Sequence, residues 1–361
     1  MKFAPLSDGR KSTAEWLLRG KALETQGTAS ALTEAMQAYD AALTLLHAEP
    51  LNGSDDFRHE LAIVWMNRGR ARQKQGGADG LADAVRAYDD AIALGRLLPI
   101  AVNLEYRNCL GAAWLNRGQV LLQLGDPASL AAAIHSQEEA IALLRTLPID
   151  LDLDYRLNLA GAELNLANTL LITADSSVLE RARTAAKNAL ALVTAGEDTT
   201  AQLADLGLKS RRALCDALGH LLFAAASDEA AIQLLAPEAS DAVDTGLALA
   251  RRWENRGVPY FRPLAARLFR FGAQLYQLHQ PHFLAEFLLE SLDPASAPTA
   301  WTASAEFQEI ALTALTRARQ ELARRPMFNV DASTTAKLLE TSRHLAQTEK
   351  RIAELMPVTA G

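Results

Sequence analysis

The stretch Trp65-Met66-Asn67-Arg68-Gly69 decides how this chain is read. The same word stands 49 residues earlier as Trp16-Leu17-Leu18-Arg19-Gly20 and 49 residues later as Trp114-Leu115-Asn116-Arg117-Gly118. A fourth copy, Glu163-Leu164-Asn165-Leu166-Ala167, keeps the step and loses the tryptophan. Two more words keep the same register. Tyr39-Asp40-Ala41-Ala42-Leu43 returns as Tyr88-Asp89-Asp90-Ala91-Ile92, as Gln137-Glu138-Glu139-Ala140-Ile141 and as Ala186-Lys187-Asn188-Ala189-Leu190. Phe57-Arg58 returns as Tyr106-Arg107 and Tyr155-Arg156. Three words sharing one period mark an internal repeat.

Within a unit the apolar spacing is helical. Leu61, Val64 and Trp65, continued by the stem of Arg68, form one i, i+3, i+4, i+7 stripe, and Ala84, Ala87, Tyr88 and Ala91 form another. Breaker clusters separate the stripes: Asp79-Gly80 reads as a turn and Asp126-Pro127 as a helix start. Pro50, Pro99 and Pro148, again 49 apart, close the second helices. Each unit is therefore expected to be helix, tight turn, helix, proline stop. Asp55-Asp56-Phe57-Arg58 and Asp154-Tyr155-Arg156 lie in the joins, so the first helices should start early and run about five turns. Gly20, Gly69 and Gly118 sit mid-helix, where glycine costs about 1 kcal/mol against alanine. The expected reason is close approach of Ala35, Ala84 or Ala133 from the partner helix.

On these residues the chain resembles the tetratricopeptide-repeat family: Trp65, Gly69, Ala84, Tyr88 and Ala91 fill the signature places, although 49 residues exceed the usual 34. The resemblance covers residues 12–195. It implies an all-α fold, a right-handed superhelical solenoid of antiparallel helix pairs. Residues 1–197 would hold four regular repeats. Residues 198–361 would hold irregular ones continuous with them, with a fifth unit around Leu218-Gly219 and Gly246 carrying an insertion at 228–236, a sixth from Leu268 to Pro294, and capping helices near 300–325 and 332–356. Trp253-Glu254-Asn255-Arg256-Gly257 copies the repeat word, but the Val258-Pro259 that follows ends a helix, so it is read as a decoy. The long joins resemble those of the kinesin-light-chain branch, which implies association with bacterial tubulin-like filaments.

The family resemblance also implies a binding surface. The first helices would line a concave wall that binds an extended peptide or a partner protein, through Asn67, Arg70, Lys74, Asn116, Gln119, Gln123, Asn165 and Asn168. A carboxamide offers a bound backbone both a donor and an acceptor; alternatively, each asparagine bonds its neighbouring helix. The lysine that captures a terminal carboxylate in one subgroup is replaced by Met66, Leu115 and Leu164, so no such clamp is expected. Arg19, Arg68 and Arg117 accompany Asp40, Asp89 and Glu138, and both members change in the fourth copy, to Leu166 and Lys187. That joint loss predicts ion pairs across each helix hairpin. Aromatic residues crowd between Trp253 and Phe307, as a thicker core or as a contact face.

Composition narrows the function classes. The chain has 361 residues, which at roughly 150 per domain allows two or three domains or one long array. A net charge of −7 disfavours phosphate backbones, so no nucleic-acid partner is expected. No segment has 18 uninterrupted apolar residues and no signal peptide is visible, which points to a cytoplasmic protein without a membrane span. Cys109 and Cys215 lie far apart in apolar helical patterns and read as small buried hydrophobes. His59-Glu60 lacks the second histidine of a zinc helix, since Ile63 stands in its place. His279, His282 and Glu286 are the nearest approach to a metal set, and Cys215, Asp216 and His220 the nearest to a nucleophile cluster. No cofactor is expected, and a non-enzymatic scaffold is the favoured reading. The alternative is a regulator or sensor that holds a signalling peptide or small molecule.

Overall fold

The computed structural model describes residues 12–48, 54–173 and 176–279, with isolated helical positions between 284 and 350. Among the described residues there are helices and no strands. In chain order they are α1 (Thr13–Gln26), α2 (Ala29–Ala48), α3 (Asp55–Gln75), α4 (Gly77–Gly95), α5 (Leu104–Leu124), α6 (Pro127–Leu144), α7 (Leu153–Ile172), α8 (Leu179–Val193), α9 (Ala201–Ala224), α10 (Glu229–Asn255) and α11 (Arg262–His279). They fall into two compact units, residues 1–173 and 174–361. The fourth copy of the period thus places its first helix, α7, in one unit and its second, α8, in the other.

In the first unit each helix packs on the next in sequence, and α1, α3, α5 and α7 also touch in succession. This is a tetratricopeptide-like succession of helix pairs. The early starts of the first helices have a local cause. Ser54, Asn103 and Asp152, themselves 49 apart, cap α3, α5 and α7: Ser54 Oγ accepts from the Phe57 N–H at 3.2 Å, Asn103 Oδ1 from Glu105 at 2.9 Å, and Asp152 Oδ1 from Asp154 at 2.8 Å. Asp126 caps α6 and Pro127 fills its first position, as expected. Asp79-Gly80 is not the turn. Gly76 and Gly77 make it, with φ of 71° and 72°, and Asp79 lies in the first turn of α4, where the helix dipole favours a carboxylate.

Pro99 and Pro148 stand just beyond the ends of α4 and α6. The joins that hold them are pinned by the arginine of the third word. Arg107 Nε donates to the Ile100 carbonyl at 2.8 Å and Arg156 Nε to the Ile149 carbonyl at 3.3 Å. Leu98 and Leu147 are buried beneath these joins.

Small residues on the second helices let the layers close: Ala35, Ala42, Ala84, Ala87, Ala133 and Ala140 are fully buried. The mid-helix glycines answer mainly to the first residue of the second word, with Ala133 joining it at Gly118 as expected. A Cβ at Gly20 would strike the Tyr39 ring, and one at Gly69 would lie 3.0 Å from the Tyr88 ring. At Gly118 it would meet Gln137 at 3.1 Å and the Ala133 carbonyl at 3.3 Å. Glycine and the first residue of the second word are one lock, and in the fourth copy they change together, to Ala167 and Ala186.

In the second unit α8, α9, α10 and α11 pack in succession, and α9 also touches α11. The expected insertion at 228–236 is the opening of the long helix α10. Trp253 and Asn255 end that helix and Gly257 follows at φ 81°, so the repeat word there is indeed a helix stop. A buried ion pair, Glu197 with Arg211, holds the start of α9. Arg211 Nε donates to Thr245 Oγ1 at 2.9 Å, and Trp253 Nε1 donates to the Glu197 carbonyl at 2.9 Å. The described aromatic residues of 253–307 are mostly core: Phe261, Phe269 and Phe307 are fully buried, and Phe269 meets Phe287 and Phe307 with ring centroids 5.5 and 5.1 Å apart. Tyr260 is the exposed exception. Most of the expected capping helices, and the sixth unit beyond His279, lie outside the described residues.

Candidate functional site

The first helices of the first unit form the wall singled out by the repeat. Their contacts are direct: the Cys109 thiol donates to the Met66 sulfur at 3.6 Å between α3 and α5, and Asn158 Nδ2 donates to Asn108 Oδ1 at 3.0 Å between α5 and α7. On this wall the candidate residues separate into two groups.

Asn67 is buried, and its Oδ1 accepts from Arg70 at 2.9 Å. Arg70 in turn grips Glu24 of α1 through both carboxylate oxygens, at 2.6 and 3.0 Å. Lys74 Nζ reaches the same carboxylate at 2.8 Å, and the Tyr39 hydroxyl donates to it at 3.1 Å. Glu24 is only 3% exposed, so these groups fasten α1 to α3. Burial pushes the Glu24 carboxyl up, but the hydrogen bonds and charges of Arg70 and Lys74 outweigh it and hold the group below its usual range. Burial and the adjacent Glu24 carboxylate push the Tyr39 hydroxyl up. The repeat word offered no signal for this staple, because position 24 has no acidic counterpart in the later copies.

The second group faces outward. Gln119 and Gln123 are exposed, and Asn116, Asn165 and Asn168 are half-buried on α5 and α7. Asn116 and Asn165 keep their 49-residue register on adjacent helices. They form a pair of carboxamides on neighbouring rungs.

The arginine of the repeat word pairs differently from expectation. Arg68 Nε meets Asp40 at 2.8 Å and Arg117 Nε meets Asp89 at 2.7 Å, each carboxylate belonging to the preceding unit. The expected partners within the hairpin, Asp89 and Glu138, are displaced by the stacking of units. Arg117 also donates to Ser136 Oγ at 2.7 Å in its own hairpin. Each arginine lies over the tryptophan of its own word, 5.6 Å at Trp16, 5.4 Å at Trp65 and 5.6 Å at Trp114. The three tryptophans share this arginine contact, and Trp114 is more deeply buried, with Arg96 and His135 also against its ring.

No family model matches the chain, and no curated protein matches it. Solved structures do. The apo form of RapI aligns over 95% of this chain and 99% of its own, at 9% identity and a TM-score of 0.49. Nro1, a hypoxic regulator of sterol synthesis described as a nuclear import adaptor, aligns over 91% of this chain and 93% of its own, at 13% identity and 0.43. A Rap protein complexed with competence and sporulation factor aligns over 95% and 98%, at 13% identity and 0.32.

The residues weighed for chemistry are scattered. No three His, Cys, Asp or Glu among the described residues are placed to hold a metal ion. His282 and Glu286, and the side chain of His279, lie outside the described residues. Burial pushes the Cys109 thiol up to about 11 and the Cys215 thiol higher still, the opposite of what a nucleophile needs. No described helix is long and apolar enough to cross a membrane.

Proposed function

We propose that this protein is a non-enzymatic, cytoplasmic scaffold that binds a partner protein or extended peptide along the wall built from its first helices. One observation carries the reading: Asn116 and Asn165 stand at the same register of adjacent helices, half-buried beside exposed Gln119 and Gln123. Repeated carboxamides at a fixed step suit the repeating amides of an extended chain. Asn168 extends the surface along α7. Arg70 and Lys74 reach its edge through Glu24 and supply positive charge only beyond what that carboxylate neutralises.

The test is affinity capture from the native host with the wild-type chain and with Asn116, Gln119, Gln123 and Asn165 all changed to alanine. Asn67 is left intact because its bond to Arg70 belongs to the frame. The variant should lose the specific partner while keeping its melting temperature; equal recovery would remove the wall as the contact surface. The kinesin-light-chain likeness narrows the partner to a tubulin-like filament. Failure to pellet with such filaments at micromolar protein would remove the filament and leave the scaffold.

A further inference from the structure

The joins of the first unit carry an edge of a different character. Each begins with a proline turn: the Val102 N–H donates to the Pro99 carbonyl at 3.2 Å, and the Leu151 N–H to the Pro148 carbonyl at 3.0 Å. Both turns present an apolar side chain to solvent, Val102 at 83% exposure and Leu151 at 86%. Leu104 and Leu153, two residues on, are exposed as well. Single exposed apolar side chains are ordinary. Here the same two places are apolar and exposed in successive joins, at the 49-residue step that buries Leu98 and Leu147.

Arg107 makes the two joins one edge. Its Nη2 donates to the Ala101 carbonyl at 2.8 Å in the first join, and its Nη1 donates to Thr146 Oγ1 at 3.0 Å at the head of the second. The apolar side chains thus stand on two bonded rungs, so covering them orders little that is not ordered already.

Carboxylates line the same edge. Glu105 and Asp154 follow the exposed leucines at the 49-residue step, and Asp150 precedes Leu151; all three are exposed. Asp150 and Asp154 make no ion pair among the described residues. Glu105 lies 3.5 Å from His59, which is charged only when protonated. The cations of the joins are engaged elsewhere: Arg107 and Arg156 bond backbone carbonyls, Arg145 pairs with the buried Glu163, and Arg96 lies over the Trp114 ring. The edge is therefore apolar with an acidic margin, which disfavours nucleic acids and anionic membranes.

We propose that this edge receives a cationic amphipathic helix of a partner protein, its apolar face on Val102, Leu104, Leu151 and Leu153 and its lysines or arginines beside Glu105, Asp150 and Asp154. Apolar contact supplies the affinity, and the charges fix the register and exclude acidic competitors. A helix fits better than an extended chain, because the described residues offer no strand edge to lengthen. The contact lies at the starts of α5 and α7, about three helical turns from Asn116 and Asn165, and stands or falls separately from the wall they occupy.

Fluorescence anisotropy on the full chain tests it with three labelled peptides: a Leu/Lys helix with one apolar face, a permutation of the same composition without that face, and a Leu/Glu helix. The first should bind about tenfold tighter than either control and weaken as salt is raised. V102S/L151S, which removes two apolar anchors, should lose about tenfold. E105Q/D154N, which keeps the apolar rungs, should lose about threefold. All four side chains are exposed, so both variants should keep the wild-type melting temperature. Equal binding of the patterned and permuted peptides, or unchanged affinity in either variant, would overturn the proposal. So would flotation of the wild type with neutral phosphatidylcholine vesicles that V102S/L151S abolishes, which would assign the edge to a lipid surface. The alanine variant of the wall should bind the Leu/Lys helix normally; loss of binding there would move the contact to the wall.

Discussion

Arg68 shows how one side chain joins two repeats. Its guanidinium lies over the ring of Trp65 on its own helix and at the same time reaches Asp40 of the unit before, 28 residues back. Sequence covariation between copies pointed to the pair but not to its partner's unit, because a period of 49 leaves both choices in register. With Asp40 54% exposed, the pair stabilises modestly, about 0.2–1 kcal/mol. A double-mutant cycle on thermal or urea unfolding should show coupling of that size between Arg68→Ala and Asp40→Ala. Between Arg68→Ala and Asp89→Ala it should show none; the reverse result would restore the hairpin pairing.

Between elements, the Glu24 staple fastens α1 to α3 where the first unit begins. Its carboxyl is held below its ordinary value of 4.5, so its contribution is complete above that pH and is lost as pH falls through the lower value of the folded state. Glu24→Gln should lower stability at neutral pH by about 1–3 kcal/mol, the scale of hydrogen bonds to a charged acceptor. The gap between wild type and variant should narrow as melting is followed from pH 7 down to pH 3. A gap that persists unchanged at pH 3 would show that Glu24 acts through packing alone. The caps Ser54, Asn103 and Asp152 belong to the same scale. They were legible in the sequence as a further 49-residue ladder that the more conspicuous tryptophans overshadow.

Across the whole molecule, helix pairs that contact mainly their neighbours respond to damage locally. Gly207 is a position to see this. A Cβ there would collide with the Glu197 carboxylate, which is itself held by the buried Arg211. Gly207→Ala should cost about 1–3 kcal/mol through overpacking. Hydrogen exchange should quicken across α9 and α10 while α3, α4 and α5 keep their protection. Equal acceleration in both units would mean that the chain unfolds as one cooperative body.

The sequence by itself determined the helix pairs and most of the places where they begin and end, the Gly76-Gly77 turn and the start of α10 excepted. These follow from spacing, caps, glycines and prolines, all of which act within a few residues. It also located the mid-helix glycines, because a costly residue repeated at one position demands a close neighbour, though that neighbour is Tyr39 at Gly20 and Tyr88 at Gly69, and an alanine, Ala133, shares the role only at Gly118. Only the tertiary structure decided which charges meet. Ion pairs depend on how units stack and on which heads are desolvated together, and neither leaves a periodic mark. Asn67 and Asn116 are the plainest case: identical in register, one is buried against Arg70, which Glu24 holds in place, and the other stands half-open on the wall.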